Sequence, residues 1–179
     1  MEIFLIRHAT PDWSRKDIPY DIVPGPVLTP KGEKEAQALA AFLKSEGVRK
    51  LYHSPFARAA KTAQIVSAIN RILCAEELGL AEWRVPAETE IQVRRRMKAI
   101  FDRSMAEAAE IGPIGLVSHG GPIGVLLQEL GIDPNKLAEY RTRFDTTNPL
   151  PPAGAWQVQA KDGKHSSWDF TLKFIPALP

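Results

Sequence analysis

The sequence predicts a protein of the α/β class, in which strands alternate with helices along the chain. Three short runs have the apolar, β-compatible character of strands, and they span residues 2–8, 48–54 and 114–118. Segments with helical apolar stripes lie between them. The first run ends in Arg7 and His8, and the third leads into His119. Because open α/β sheets bind ligands at the carboxyl ends of their strands, we expect the functional site there.

Length and composition fit one ordinary globular domain covering residues 1–179, with 44% apolar and 25% charged residues. The net charge of +2, from 23 basic and 21 acidic residues, is too small to favour a nucleic acid or an anionic membrane as partner. We expect a cytoplasmic protein, because the N-terminus lacks a basic leader and no run approaches ~18 apolar residues.

Cysteine and histidine usage excludes two kinds of structural support. The single cysteine, Cys74, cannot form an intrachain disulfide, and its apolar neighbours predict a buried, inert thiol. The four histidines and this cysteine show no metal-ligand spacing, so we expect neither a metal nor another cofactor.

The stretch after His8 is rich in proline and predicts a long surface loop that forms one wall of the cleft. A helix should follow, with Thr29 as its N-cap and Pro30 in the first helical position. Gly47 is placed to end this helix. Its apolar stripe consists of Ala36, Leu39, Ala40 and Leu43.

A second helix is predicted to start at Ser54 and Pro55, with Arg58 in its first turn. The helix macrodipole favours an anion at this end, so an arginine here is better placed if it meets one. The alternative is a solvated surface arginine. The predicted buried face consists of Ala59, Ala63, Val66, Ile69 and Leu73.

A turn-rich acidic connection spans residues 76–83 and leads to a helix over residues 88–110. The three consecutive arginines 94–96 point in different directions at helical spacing, which favours a solvated face. The predicted apolar face of this helix consists of Val93, Met97, Ile100, Phe101, Met105 and Ala108.

The third strand runs into His119 and a glycine pair, Gly120 and Gly121, before a helix over residues 123–130. Glycines allow the backbone to approach a ligand, and the helix N-terminus supplies free N–H donors. A short helix is predicted after Pro134.

The C-terminal segment predicts a hairpin of residues 155–159 and 168–174, with a turn signal at Asp162 and Gly163. We expect this hairpin to be exposed near Trp168, where it could pair with a second copy in a homodimer.

These groups fit the transfer of a phosphoryl group from an ester to an imidazole. A neutral histidine attacks phosphorus, and Arg7, Arg58 and a second histidine stabilise the charge on the oxygens. A carboxylic acid protonates the leaving alkoxide and later takes a proton from water. Fixed cations can replace a metal ion in this chemistry.

Three blocks of residues together resemble the histidine phosphatase superfamily, in its phosphoglycerate mutase-like branch 1. They are Leu5-Ile-Arg7-His8-Ala9, Ser54-Pro-Phe-Ala-Arg58-Ala-Ala-Lys-Thr62-Ala63 and Val117-Ser-His119-Gly120-Gly121. The resemblance implies a three-layer α/β/α sandwich around a mostly parallel sheet. It also implies that His8 forms a phosphohistidine, and that Arg7, Arg58 and His119 hold the phosphoryl group, with Gly120 beside them.

The family's acid/base carboxylate lies in a Leu-x-Glu pattern between the second and third blocks. Leu80-Ala81-Glu82 matches that pattern, so the resemblance implies Glu82. Glu76, Glu77 and Glu88 are the alternatives.

The chain departs from the family at three places. Ala9 stands where a glycine is usual, and Ser14 stands where many relatives have a phosphate-contacting asparagine. A serine hydroxyl at position 14 could donate one hydrogen bond to the phosphate. Trp83-Arg84-Val85 replaces a Trp-Glu-Gly continuation, so the substrate does not carry over.

The leading hypothesis is a metal-independent phosphatase that acts on a small-molecule phosphate ester. A phosphoglycerate-type mutase is an alternative, although a chain of 179 residues leaves little room for the insertions that mutases carry over the cleft. A phosphohistidine protein phosphatase of the same family is another. A catalytically silent module that binds a phosphate ester represents a different functional class.

Overall fold

A computed structural model describes residues 1–144, 147–161 and 167–177 of the chain. The described strands are β1 (Glu2–Arg7), β2 (Lys50–His53), β3 (Leu73–Glu76), β4 (Ile114–Ser118), β5 (Ala155–Ala160) and β6 (Trp168–Phe174). The described helices are α1 (Pro30–Ser45), α2 (Ala57–Asn70), α3 (Glu90–Ile111), α4 (Gly120–Glu129) and α5 (Pro134–Phe144), with a 3₁₀ turn at Leu78–Leu80.

The six strands form one sheet in the order β3-β2-β4-β1-β5-β6. The first four strands run parallel to one another, while β5 and β6 continue the sheet antiparallel. Ile3 and Leu5 of β1 pack in the core beneath α3 and α4, whereas Phe4 and Ile6 pack in the core beneath α1 and α2. The predicted fold class, an α/β/α sandwich around a mostly parallel sheet, is therefore confirmed.

Strand register brings the ends of three parallel strands level with one another. Arg7 lies opposite Ser118 in the β1–β4 pair, and the His8 amide donates to the Ser118 carbonyl at 3.0 Å. The Ser54 amide, just beyond β2, donates to the Val117 carbonyl at 2.9 Å. Residues that follow β1, β2 and β4 consequently meet at one edge of the sheet.

Helices α1 and α3 form as their apolar periodicity predicts. The Thr29 hydroxyl caps α1 by accepting from the Gly32 amide at 3.0 Å, and Gly47 follows the helix with a φ of +72°. A capping box between Thr89 and Gln92 starts α3. Every residue of the two predicted apolar stripes is buried.

The predicted second helix was too long at both ends. It runs only from Ala57 to Asn70, and Leu73 begins the edge strand β3 with 73% of its surface exposed. Ile69 is also 48% exposed, so neither residue belongs to the buried face. Cys74 in β3 is only partly buried, which corrects the prediction of a buried thiol. Its partial burial raises the pKa of the thiol.

The start of α4 also differs from the prediction. Helix α4 begins at Gly120, directly after His119, rather than at residue 123. The C-terminal strands pair antiparallel as predicted, but the turn expected at Asp162 and Gly163 lies outside the described residues. Trp168 itself is buried, with its ring 5.0 Å from that of Phe101, whereas Asp169 and Thr171 of the same edge strand are exposed. Pairing of this hairpin with a second copy stays a prediction.

No helix in the part of the chain that the structure describes is long and apolar enough to cross a bilayer.

Candidate active site

His8 follows β1 directly and is held in a defined tautomer. Its Nδ1 lies 2.8 Å from the Ala9 carbonyl oxygen, which can only accept a hydrogen bond, so we assign the ring proton to Nδ1. The Nε2 lone pair then faces into the site, 3.2 Å from the Tyr20 hydroxyl. This tautomer leaves the nitrogen that a nucleophile requires unprotonated.

The environment of His8 keeps its imidazole neutral. Burial is the largest cause, and the electrostatic effects of His119, Arg58 and Arg7 add to it, so the pKa of His8 lies well below 6.5. His8 is thus available as a neutral nucleophile at physiological pH.

Arg58 lies in the first turn of α2 and is completely buried, which excludes the alternative of a solvated arginine. Its Nη1 donates to the Tyr20 carbonyl at 3.0 Å, and its Nη2 donates to Glu82 Oε2 at 3.2 Å. The guanidinium carbon lies 3.8 Å from the centre of the Tyr20 ring and 4.7 Å from that of Phe56. Burial lowers the pKa of Arg58, and its contacts with Tyr20 and Glu82 oppose that shift.

Arg7 and Ala9 flank His8 on the same strand end. The Arg7 Nη1 donates to the Leu150 carbonyl at 3.0 Å. The Ala9 side chain is buried in the core with α1 and α2, and its amide donates to the Thr62 hydroxyl at 3.0 Å. The Thr62 hydroxyl also donates to the Arg58 carbonyl, at 2.7 Å, and so connects the turn after His8 to α2.

His119 follows β4, and its ring centre lies 5.1 Å from that of His8. Its Nε2 lies 2.7 Å from the Ser54 hydroxyl, and its Nδ1 lies 3.3 Å from Glu82 Oε2. Burial lowers the pKa of His119, although the Glu82 carboxylate opposes that shift. Ser54 was expected to start α2 but instead orients His119; its place directly after β2 was the available signal.

Glu82 is the one of the four candidate carboxylates whose contacts join it to Arg58 and His119. Glu77 instead pairs with Arg103, Glu88 pairs with Arg96, and Glu76 is exposed at the end of β3. Burial would raise the pKa of Glu82, but His119, Arg58 and the Trp83 amide together outweigh burial and hold the pKa at about 2.

Arg96 of α3 fixes the segment that carries Glu82. Its Nη1 donates to the carbonyls of Gly79 and Ala81, at 2.7 and 2.9 Å. Its Nε and Nη2 form a bidentate pair with Glu88, at 2.6 and 2.9 Å. The arginine run therefore contains one structural residue, although the sequence favoured a solvated face throughout.

Gly120 and Ser14 were the remaining predicted site residues. Gly120 begins α4 beside His119, and a side chain there would collide with Asn148, since a Cβ would lie 1.5 Å from its Oδ1. The structure does not bring Ser14 to the other residues. It is exposed, and its hydroxyl donates to Asp12 Oδ1 at 2.5 Å in a local turn.

Tyr20 is the site residue that the sequence did not indicate. Its hydroxyl contacts His8, its ring covers Arg58, and the same ring stacks with that of Trp13 at 4.7 Å between centres. It lies in the proline-rich loop that was predicted to form a wall of the cleft.

Within the described ranges, no group of three or more His, Cys, Asp or Glu side chains is arranged to hold a metal ion.

Comparisons with known proteins agree with this geometry. Residues 3–86 match the sequence model of the histidine phosphatase superfamily, branch 1. The chain is 27% identical over 177 residues to a protein of Yersinia enterocolitica named "Probable phosphoglycerate mutase GpmB", covering 80% of each chain. It is 41% identical over 63 residues to a 2,3-bisphosphoglycerate-dependent phosphoglycerate mutase of Thermoplasma acidophilum, a match that spans 35% of this chain and 32% of the relative.

A mycobacterial glucosyl-3-phosphoglycerate phosphatase shares the fold, with a TM-score of 0.74, 19% identity and 98% of both chains covered. The match to the family model covers residues 3–86 and thus the first two of the three sequence blocks, whereas the likeness to the mycobacterial phosphatase shows a shared fold over the whole chain.

Proposed function

We propose that this protein is a metal-independent phosphatase that hydrolyses a small phosphate monoester through a phosphohistidine on His8. The observation that carries the proposal is the neutral Nε2 of His8, which faces a buried site containing Arg58 and His119, with Glu82 contacting both.

In the first half-reaction, His8 Nε2 attacks phosphorus and the bond to the ester oxygen breaks. Arg7, Arg58 and His119 stabilise the negative charge on the non-bridging oxygens. Glu82 donates a proton to the leaving alkoxide.

Glu82 must gain a proton before it can donate one, because its pKa of about 2 makes it a carboxylate in the ligand-free protein. A phosphoryl group brings negative charge next to Glu82 and competes for Arg58. Both effects raise the pKa of Glu82, since a nearby negative charge disfavours the ionised form.

In the second half-reaction, the Glu82 carboxylate accepts a proton from water while that water attacks phosphorus. The phosphorus–nitrogen bond breaks and returns His8 to its neutral state. Inorganic phosphate is the product, and the fixed cations carry the role that a metal ion has in other phosphatases.

Hydrolysis of p-nitrophenyl phosphate in excess EDTA tests this proposal. We expect turnover by the wild-type protein and none by His8→Ala, with circular dichroism and a thermal melt verifying that the variant is folded. Undiminished turnover in a folded His8→Ala protein would refute the phosphohistidine mechanism. Turnover that EDTA abolishes would refute metal independence.

A mutase is the second candidate, because both curated relatives carry the name phosphoglycerate mutase. The two activities separate on phosphoglycerate itself. A phosphatase releases inorganic phosphate, whereas a mutase moves the phosphoryl group between the two hydroxyls of the same molecule and releases little phosphate.

The contacts of Glu82 also weigh against the other two alternatives. A phosphohistidine substrate has a good leaving group and gains less from a general acid than an alkyl ester does. A silent binding module has no use for a carboxylate placed between Arg58 and His119; phosphate binding without turnover of any ester would support such a module.

A further inference from the structure

The Tyr20 hydroxyl lies where a reacting phosphoryl group has to approach. The hydroxyl oxygen is 3.2 Å from His8 Nε2. With the ring proton on Nδ1, Nε2 is the nitrogen of that ring that carries a free lone pair. A phenol O–H that donates to this lone pair engages the electrons required for attack on phosphorus. In this arrangement, His8 is therefore both oriented and blocked.

The burial of the site shows that some part of it has to move before an ester can react. His8 exposes 1% of its surface, and Arg58 and His119 expose none. His8 and His119 directly follow the paired strands β1 and β4, and Arg58 lies in helix α2, so all three are carried by the packed body of the fold.

The segment of residues 13–22 is the part best suited to move. Its turns are closed by local contacts, such as the Arg15–Asp17 ion pair and the Ser14 bond to Asp12. Within the described chain, this segment is hydrogen-bonded to the rest of the fold through Tyr20. The Tyr20 hydroxyl contacts His8, and the Tyr20 carbonyl accepts from Arg58. The base of the loop is held separately, by the Asp12 amide on the Val27 carbonyl at 2.8 Å.

Tyr20 also contacts Arg58, the guanidinium of which is expected to bind the phosphate. Arg58 donates one nitrogen to the Tyr20 carbonyl and presents its guanidinium face to the Tyr20 ring at 3.8 Å. A bound phosphate dianion offers Arg58 stronger, charge-assisted hydrogen bonds than a neutral carbonyl does. The ligand thus competes with Tyr20 at His8 and Arg58 together.

We propose that Tyr20 is a latch which the phosphoryl group of the substrate displaces from His8 and Arg58, and that residues 13–22 move with it. The proposal rests on the proposed function, since it requires that phosphate binds beside His8. Trp13 moves with the latch because its ring is stacked on that of Tyr20.

Calorimetric titration of wild type and Tyr20→Phe with inorganic phosphate tests the latch. The deciding observation is whether the substitution tightens or weakens phosphate binding. Phenylalanine keeps the ring over Arg58 and against Trp13 but removes the hydroxyl that competes for His8. The loss of one neutral hydrogen bond in the free protein should tighten phosphate binding about fivefold. Tyr52→Phe is the matched control, because the Tyr52 hydroxyl contacts Lys50 and Glu107 and not the site. The phosphate affinity of the Tyr52→Phe protein should equal that of wild type.

Equal or weaker phosphate binding by Tyr20→Phe would overturn the latch, and weaker binding would identify the Tyr20 hydroxyl as a phosphate ligand. Tighter binding in both tyrosine variants would also overturn it, because the change would not depend on the site. If neither wild type nor Tyr20→Phe binds phosphate, the proposed function itself fails, and the latch fails with it.

Tryptophan fluorescence gives a second readout of the movement. Phosphate should change the emission of the wild-type protein as Trp13, which is half-exposed, leaves its stack with Tyr20. The change should be clearly smaller in Trp13→Phe, which keeps the other tryptophans. An identical change in the two proteins would show that residues 13–22 stay in place and would overturn the latch.

Discussion

Glu82 lies between the two groups that set its protonation, the Arg58 guanidinium at 3.2 Å and the His119 ring at 3.3 Å. The same two groups are expected to hold the phosphoryl oxygens. Because of this sharing, substrate binding and the protonation of Glu82 are coupled, and the residue can act first as an acid and then as a base.

Replacement of Glu82 by glutamine should affect esters according to their leaving groups. Alkyl phosphates require a proton on the departing oxygen, so we expect their kcat/KM to fall at least about 100-fold. The p-nitrophenyl ester should lose much less, because nitrophenolate leaves without protonation. Steady-state assays on both esters check this, with the exposed Glu76→Gln as control; equal losses on the two esters would mean that another residue is the acid.

The His8 imidazole should titrate far below a free histidine. A lowered pKa means that the neutral form persists as the pH falls through 6.5, and that protonation begins only at clearly lower pH. We expect ¹⁵N NMR to show an Nδ1–H tautomer at neutral pH and a midpoint well below 6.5. An Nε2–H tautomer, or a midpoint at or above 6.5, would contradict the assignment of His8 as a resting nucleophile.

At the scale of the elements, the strand ends carry the site, and this much could be predicted from the sequence. Strand β1 is buried from Ile3 onward and β4 is buried throughout; both show short apolar runs, and each is followed by a histidine. The direct pairing of β1 with β4 then places His8 beside His119. The local sequence pattern was enough to predict these two strands, because a few consecutive apolar residues indicate a buried strand.

Elements with weak burial could not be predicted in the same way. Strand β3 lies at the edge of the sheet, and Leu73 is exposed, so it has no alternating pattern that separates it from the end of α2. Tyr20 lies in a loop without periodicity, and its contact with Arg58 joins residues 38 positions apart. Such contacts depend on the tertiary fold and leave no local signal.

Helix α3 contributes to the site through Arg96, which holds the carbonyls of the segment before Glu82. Replacing Arg96 by alanine leaves these carbonyls and Glu88 without a donor, so we expect a loss of about 1–3 kcal/mol in unfolding free energy. The kcat on alkyl phosphates should also fall. Chemical denaturation and steady-state assays measure the two effects. Arg95→Ala is the matched control, since Arg95 is exposed on the same helix. Identical behaviour of the two variants would refute the positioning role of Arg96.

At the scale of the whole molecule, a net charge of only +2 coexists with two buried arginines, Arg7 and Arg58, at one sheet edge. The small net charge gives no reason to expect a polyanionic partner, and it says nothing about the binding of a small anion. The three-layer architecture explains the difference. Helices cover both faces of the sheet, and the level ends of β1 and β4, together with the first turn of α2, bring Arg7 and Arg58 to the same place.

The central claim is that His8 carries the phosphoryl group during turnover. Rapid quenching of the protein during hydrolysis of a phosphate ester, followed by peptide mapping under alkaline conditions, tests it most directly. We expect an acid-labile phosphate on His8 in wild type, an increased amount of it in Glu82→Gln with a good leaving group, and none in His8→Ala. A phosphate adduct on another residue, or ester turnover by a folded His8→Ala protein, would contradict the claim.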